Sequence, residues 1–149
     1  MNYAQKEKDL QYGFSQEDLF LKIINEKFPN TVKNKDKYNH FDYRCESMKI
    51  DFELKSRRIW KGQYPTIYFA KDKLQYGRMK LRNGLSKRII YIFNFVKKDN
   101  PNEREYWFWE DKGTEKVEIT KNGNLARGDI KKDLVDLNID LLQSINDLL

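Results

Sequence analysis

Ile50-Asp51-Phe52-Glu53-Leu54-Lys55-Ser56-Arg57-Arg58 is the stretch on which the reading of this chain turns. Ile50, Phe52 and Leu54 alternate with Asp51, Glu53 and Lys55, the period of two that marks a β-strand with one apolar face. The other face carries two carboxylates and an ammonium in a row, and two arginines follow directly. Acids clustered beside a lysine suit a place where a divalent cation is held next to an anionic substrate.

Just upstream, Phe41, Tyr43 and Cys45 alternate with Asp42, Arg44 and Glu46. A turn around Ser47-Met48 then predicts an antiparallel hairpin with the 50–55 strand. Cross-strand neighbours lie about 5 Å apart at Cβ, so Asp42 and Glu53 can reach a common point. Two carboxylates meeting there repel unless a cation neutralises them, and hard oxygen ligands suit Mg²⁺, with Mn²⁺ as a substitute. Water bound to such an ion gives up a proton more readily. Lys55, one alternation on, can hold that nucleophile or offset charge building on a phosphate. The set provides for phosphodiester hydrolysis without a histidine or a cysteine.

Working outward, residues 1–13 read as frayed or as a short helix. A helix is expected from an N-cap at Ser15 to Phe28, with Pro29-Asn30 ending it. Leu19, Phe20, Ile23, Ile24 and Phe28 give its apolar face, and Glu17 falls on the core-facing side of its first turn. Residues 31–39 read as a loop, Thr66 to Phe69 as a third strand, and 71–83 as a helix stopped by Gly84, with Gly77 allowing close approach to a sheet. Arg88 to Val96 is apolar on both faces and predicts a central strand. Asp99 to Asn102 reads as a turn, and Tyr106 to Trp109 and Lys116 to Thr120 as later strands. Asn122-Gly123 and Arg127-Gly128 read as loops. Leucines recurring from Leu134 to Leu148 predict an amphipathic terminal helix over about 133–148. The expected architecture is a single α/β domain over 1–149, with its core at about 14–110: a mixed central sheet flanked by helices.

The bulk properties agree. The 149 residues suffice for one core, and a single cysteine excludes a disulfide framework or a Cys-rich zinc site. Net charge is +6, and residues 129–149 carry five Asp against two Lys, so the preceding body holds about +9. Such a body favours a polyanion, nucleic acid ahead of membrane. The start lacks the apolar run of a signal peptide, and no stretch approaches membrane-spanning length, so an intracellular location is expected.

The helix with Glu17, then Asp42, then Glu53-Leu54-Lys55, followed by strand, helix and strand, resembles the PD-(D/E)XK nuclease superfamily over roughly residues 14–96. The resemblance implies a restriction-endonuclease-like core (helix, three strands, helix, strands), and with the basic body it leads to a Mg²⁺-dependent endonuclease with DNA ahead of RNA as its substrate. Asp42 and Glu53 would be metal ligands, Lys55 the catalytic lysine, and Glu17 a helix acid assisting metal or water. Phe41 stands where the family often has proline, and Asp51 is an additional acid ranked below the others. Junction-resolving, restriction and homing types all fit the small size.

Arg57, Arg58 and Lys61, with Trp60 and Tyr64 among them, are candidates to grip flanking phosphates, an aromatic packing on a sugar or base. Lys73, with Lys71, Lys80 and Arg82, reads either as a basic flank of the groove or as a solvated helix face. Two further readings stay open: a non-catalytic nucleic-acid-binding module on the same fold, and an interaction domain built on the leucine-rich terminal helix. That helix is either a packed cap or the interface of a homodimer or higher oligomer, since cutting both strands of a duplex suits two-fold symmetry.

Overall fold

A computed structural model describes residues 16–36, 40–124 and 131–149. The expectations for residues 1–13, Ser15 and Arg127-Gly128 lie outside the described residues. Residues 16–27 form helix α1. Phe20, Ile24 and Phe28, spaced by four, are fully buried on one side, while Lys22 and Glu26 face solvent. Leu19, expected on the apolar face, is exposed. Past the helix end, the Asn25 side chain donates to the Leu21 and Thr31 carbonyls and accepts from the Thr31 amide.

The main sheet is mixed and six-stranded, in the order β1 (Val32–Lys33), β2 (Tyr43–Cys45), β3 (Ile50–Arg57), β5 (Arg88–Lys97), β6 (Asn100–Asp111) and β9 (Gln143–Ser144). The β3–β5 pair is parallel and every other pair antiparallel. The expected hairpin is present: residues 46–49 turn between β2 and β3, and Lys49 takes a left-handed φ of 55°. As its sequence predicts, β5 is central and buried on both faces over eight consecutive residues. Ile50, Phe52, Leu54, Ile90 and Ile92 point to the layer containing α1. Ile89, Tyr91 and Phe93 point to the other layer, with Leu74 of helix α2 (Lys71–Arg82) and Val135.

That second layer changes the meaning of the polar ridge. Asp51, Glu53 and Lys55 share one face of β3, as their alternation requires, but α2 covers that face. Gly77 lets α2 approach closely, since a Cβ there would lie 3.1 Å from Phe41 Cζ and 3.2 Å from Ile89 Cγ2. Gly84, with φ of 71°, follows the helix end.

Strand membership differs from the expected one in two places. β4 (Thr66–Ala70) does not join the main sheet; it pairs with β8 (Lys131–Asn138), which pairs with β7 (Glu118–Asn124), in a three-stranded antiparallel sheet. The third strand on the hairpin side is instead the short edge strand β1, inside the segment read as a loop. Asn34 secures that edge: its amide donates to the Asp42 carbonyl at 2.8 Å and its side chain to the Phe41 carbonyl at 2.9 Å.

The terminal helix over 133–148 is not formed. The segment is β8, a 3-10 turn (Ile139–Leu141), β9 and a second 3-10 turn (Ile145–Asp147). Its leucine spacing fits a helix, but Val135, Leu137 and Ile139 also alternate, and all three are buried in one cluster. Pairing along the whole of β4 rewards the alternation with a ladder and a covered face. Asn138 and Ser144 then do what short polar residues do better than extend a helix: their side-chain oxygens accept from the Asp140 and Asn146 amides and cap the two turns. Smaller shifts lie elsewhere. The turn after β5 falls at residues 98–99, with β6 starting at Asn100, and Asn122-Gly123 sits within β7 at a register irregularity. Among the described residues no helix is long and apolar enough to cross a membrane.

Candidate active site

Asp42 stands directly before β2, where the pairing of Tyr43 with Phe52 ends, and is close enough to Glu53 for its charge to act on that carboxyl. The Asp42 amide donates to the Phe52 carbonyl at 3.0 Å, and Asp42 Oδ2 accepts the Leu54 amide at 2.9 Å. The carboxylate is thus pinned to the backbone of the strand that carries Glu53. Glu53 is only 2% exposed. Its Oε1 receives Lys73 Nζ at 2.6 Å and forms an ion pair with Lys55 Nζ at 3.5 Å, whereas its Oε2 is buried with no hydrogen-bond partner.

The electrostatics follow from that placement. Burial, reinforced by the negative charge of Asp42, pushes the Glu53 carboxyl up to about 7, against the pull of Lys55 and Lys73. Burial draws the Lys55 ammonium below its ordinary range, with Glu53 opposing and Lys73 adding to the depression. A buried acid beside a second acid, with one oxygen uncommitted, favours an added positive charge.

Asp42, Glu53 and Lys55 are therefore brought together as the sequence suggests. Glu17 lies near Tyr43, on which Asp42 also acts: its carboxylate ion-pairs with Lys33 of β1, and its carbonyl accepts the Tyr43 hydroxyl at 2.9 Å. Tyr43 lies in the α1 layer, across the sheet from the ridge. Asp51 belongs to a separate junction. Fully buried, it binds Lys80 Nζ at 2.8 Å and Arg44 Nη1 at 3.0 Å and accepts from the Ser86 hydroxyl, tying β2, α2 and the link into β5 to β3.

Lys73 corrects the view of a groove flank or solvated face. Its ammonium is turned inward, donating to the His40 carbonyl at 2.9 Å as well as to Glu53. The sequence carried a signal for this. Lys73, Gly77 and Lys80 lie on one side of α2, so two lysines meet two acids, Glu53 and Asp51, two residues apart on β3. His40, whose carbonyl completes the Lys73 pocket, stacks on Tyr76 with centroids 4.5 Å apart.

The remaining candidates follow the end of β3. Arg57 Nη1 donates to the Ser56 carbonyl. Lys61 Nζ lies 4.1 Å above the Trp107 ring, a cation–π contact that fixes the loop to β6. Arg58 lines a cleft of about 990 Å³ with Trp60 and Tyr64.

Among the described residues no group of three or more His, Cys, Asp or Glu is placed to hold a metal ion. The Asp42–Glu53 pair with its uncommitted oxygen still fits one hard cation, which would keep water in most of its coordination sphere. Comparisons with protein-family models, with curated proteins and with solved structures gave no match.

Proposed function

We propose that this chain is a Mg²⁺-dependent endonuclease of the PD-(D/E)XK type that hydrolyses phosphodiester bonds in DNA. The observation that carries the reading is the Asp42–Glu53 pair: the charge of Asp42 acts on buried Glu53, one Glu53 oxygen is unpartnered, and Lys55 is at hand. Around it stand α1, the antiparallel strands β1, β2 and β3, then β4 of the second sheet, α2, and β5 running parallel to β3.

In this reading Asp42 and Glu53 hold the cation, Asp42 oriented by the Leu54 amide and Glu53 by burial. The cation, when bound, supplies Lewis acidity and lowers the pKa of a coordinated water. Lys55 hydrogen-bonds the attacking water or a non-bridging phosphate oxygen, where its charge offsets the negative charge that builds as the new P–O bond forms. Lys73 keeps Glu53 in place from the helix side. Glu17, engaged with Lys33, is left outside this set.

The competing reading, a nucleic-acid binder without catalysis, draws on the same lysines: with Lys73 and Lys55 on Glu53, that carboxylate already has counter-charge. A labelled panel of linear duplex, single strand, four-way junction, plasmid and RNA, incubated with Mg²⁺ or Mn²⁺ and with EDTA, separates the two. A nuclease cuts at least one substrate only with metal, and Glu53→Ala and Lys55→Ala abolish cutting while still binding. Binding that is equal in EDTA, without cutting in any metal, establishes the binder instead.

A further inference from the structure

At its far end, β3 delivers the chain from the acid pair into the cleft. Glu53 and Arg57 are four residues apart on one strand, about 13 Å at ~3.3 Å per residue. The cleft that begins with Arg58 lies between the loop reaching to Tyr64 and the turn joining β5 to β6. Its volume of about 990 Å³ is in the range of sites that enclose a small molecule or a base, about 300–1,000 Å³.

The lining is unusual for a surface that only attracts duplex. Trp60 and Tyr64 are 68% and 55% exposed, so both rings offer most of their faces to solvent. Phe95 and Val96, which are buried, supply an apolar floor. Charge in the cleft is mixed: four cations, Lys97 and Lys98 among them, stand against Asp99, Glu103 and Glu105. Lys97 is paired with Glu103 at 3.1 Å. Duplex binding draws on phosphates spread along an electropositive track. Flat aromatic faces over an apolar floor, rimmed by acids and by the amides of Gln63 and Asn102, instead match a nucleobase, its face stacked and its Watson–Crick edge hydrogen-bonded. That edge is accessible only when the base is unpaired.

We propose that this cleft binds an unpaired nucleobase of the substrate strand, about four stacked bases from the acid pair at the ~3.4 Å rise of stacked nucleic acid. The inference rests on the nuclease reading for the path of the strand past Glu53. It gives the enzyme a substrate class: nucleic acid with a single-stranded or flipped nucleotide beside the scissile bond.

The test is binding in EDTA, where no cutting confuses it, using the full chain and duplex DNA that is blunt, carries a single-stranded thymidine tail at either end, or carries the same tail with abasic residues. Stacking contributes about 1–3 kcal/mol per base, so the base-bearing tail should tighten binding at least about fivefold over blunt duplex and quench tryptophan emission. The abasic tail should do neither. In Trp60→Ala/Tyr64→Ala the gain should vanish while blunt-duplex affinity stays. Equal affinity for blunt and tailed duplex, or equal gains from abasic and base-bearing tails, overturns the inference even if the protein cuts DNA. A base-dependent gain in a protein that never cuts upholds the cleft and removes the nuclease.

Discussion

The Lys73 ammonium lies 2.6 Å from Glu53 Oε1 and 2.9 Å from the His40 carbonyl, so a lysine of α2 occupies one side of the acid pair on β3. An ammonium among carboxylate and carbonyl oxygens uses the donors that a divalent cation uses. A cation on the free Oε2 would stand beside that ammonium, so the two positive charges draw on the one negative charge of Glu53. Lys73→Met should tighten Mn²⁺ binding about tenfold or more, given about 1.5–3 kcal/mol for a charge-assisted hydrogen bond. The same variant should be less stable in EDTA, where nothing replaces the lost charge. Mn²⁺ titration followed by electron paramagnetic resonance checks the first statement and urea unfolding the second; unchanged affinity would show that the Lys73 charge does not oppose the metal.

Glu53 also predicts how stability depends on pH. Its folded-state pKa of about 7 stands above the ordinary 4.5, so the fold favours the protonated acid. That contribution is fully present below pH 4.5 and is lost as the pH rises through about 7. In EDTA the urea midpoint of the wild type should fall across that window. Glu53→Gln, neutral throughout, should remove most of the slope, and Mn²⁺ should restore wild-type stability most at the alkaline end. A wild-type slope retained in Glu53→Gln would assign the titration to another group.

Asp51 should behave as a structural residue. Removing the carboxylate leaves the buried Lys80 ammonium uncompensated, a loss of about 3–5 kcal/mol, while Arg44 keeps Glu46. Asp51→Asn should therefore unfold at markedly lower urea, yet the folded fraction at low temperature should keep metal-dependent cutting. Stability near that of the wild type with cutting abolished would instead place Asp51 in the chemistry.

Gly77→Ala sets two magnitudes against each other. The helix gains about 1 kcal/mol from alanine. The new methyl meets Phe41 and Ile89 at 3.1 and 3.2 Å, and both are buried, so neither side chain moves aside freely. Overpacking costs about 1–3 kcal/mol, which wins. The expected outcome is a net loss of about 1 kcal/mol by urea unfolding; a stabilised variant would show that α2 rides less tightly on the sheet.

The parts of the fold that read correctly from sequence are those fixed locally. The β2–β3 hairpin follows from two alternating runs and a short turn, and β5 from a run too apolar for any exposed face. The closeness of Asp42, Glu53 and Lys55 came with the hairpin that carries them. What was missed depends on distant partners. The 133–148 segment satisfies helical and strand spacing alike, and only the free edge of β4, more than sixty residues earlier, decides between them. Lys73 was read as facing outward because helix lysines usually do; the pair of acids that turns it inward lies on another element. The Glu17–Lys33 pair was not legible either, because a helical wheel gives a direction but not the partner on another element.

The central claim is that the Asp42–Glu53 pair cuts a phosphodiester bond with a bound cation. Nicking of supercoiled plasmid across a Mn²⁺ titration, wild type beside Glu53→Gln, tests it most directly. The account predicts nicking by the wild type that rises with Mn²⁺ occupancy, disappears with EDTA and is absent in Glu53→Gln at every concentration. Nicking by Glu53→Gln at the wild-type rate, or none by the wild type at saturating Mn²⁺, would contradict it.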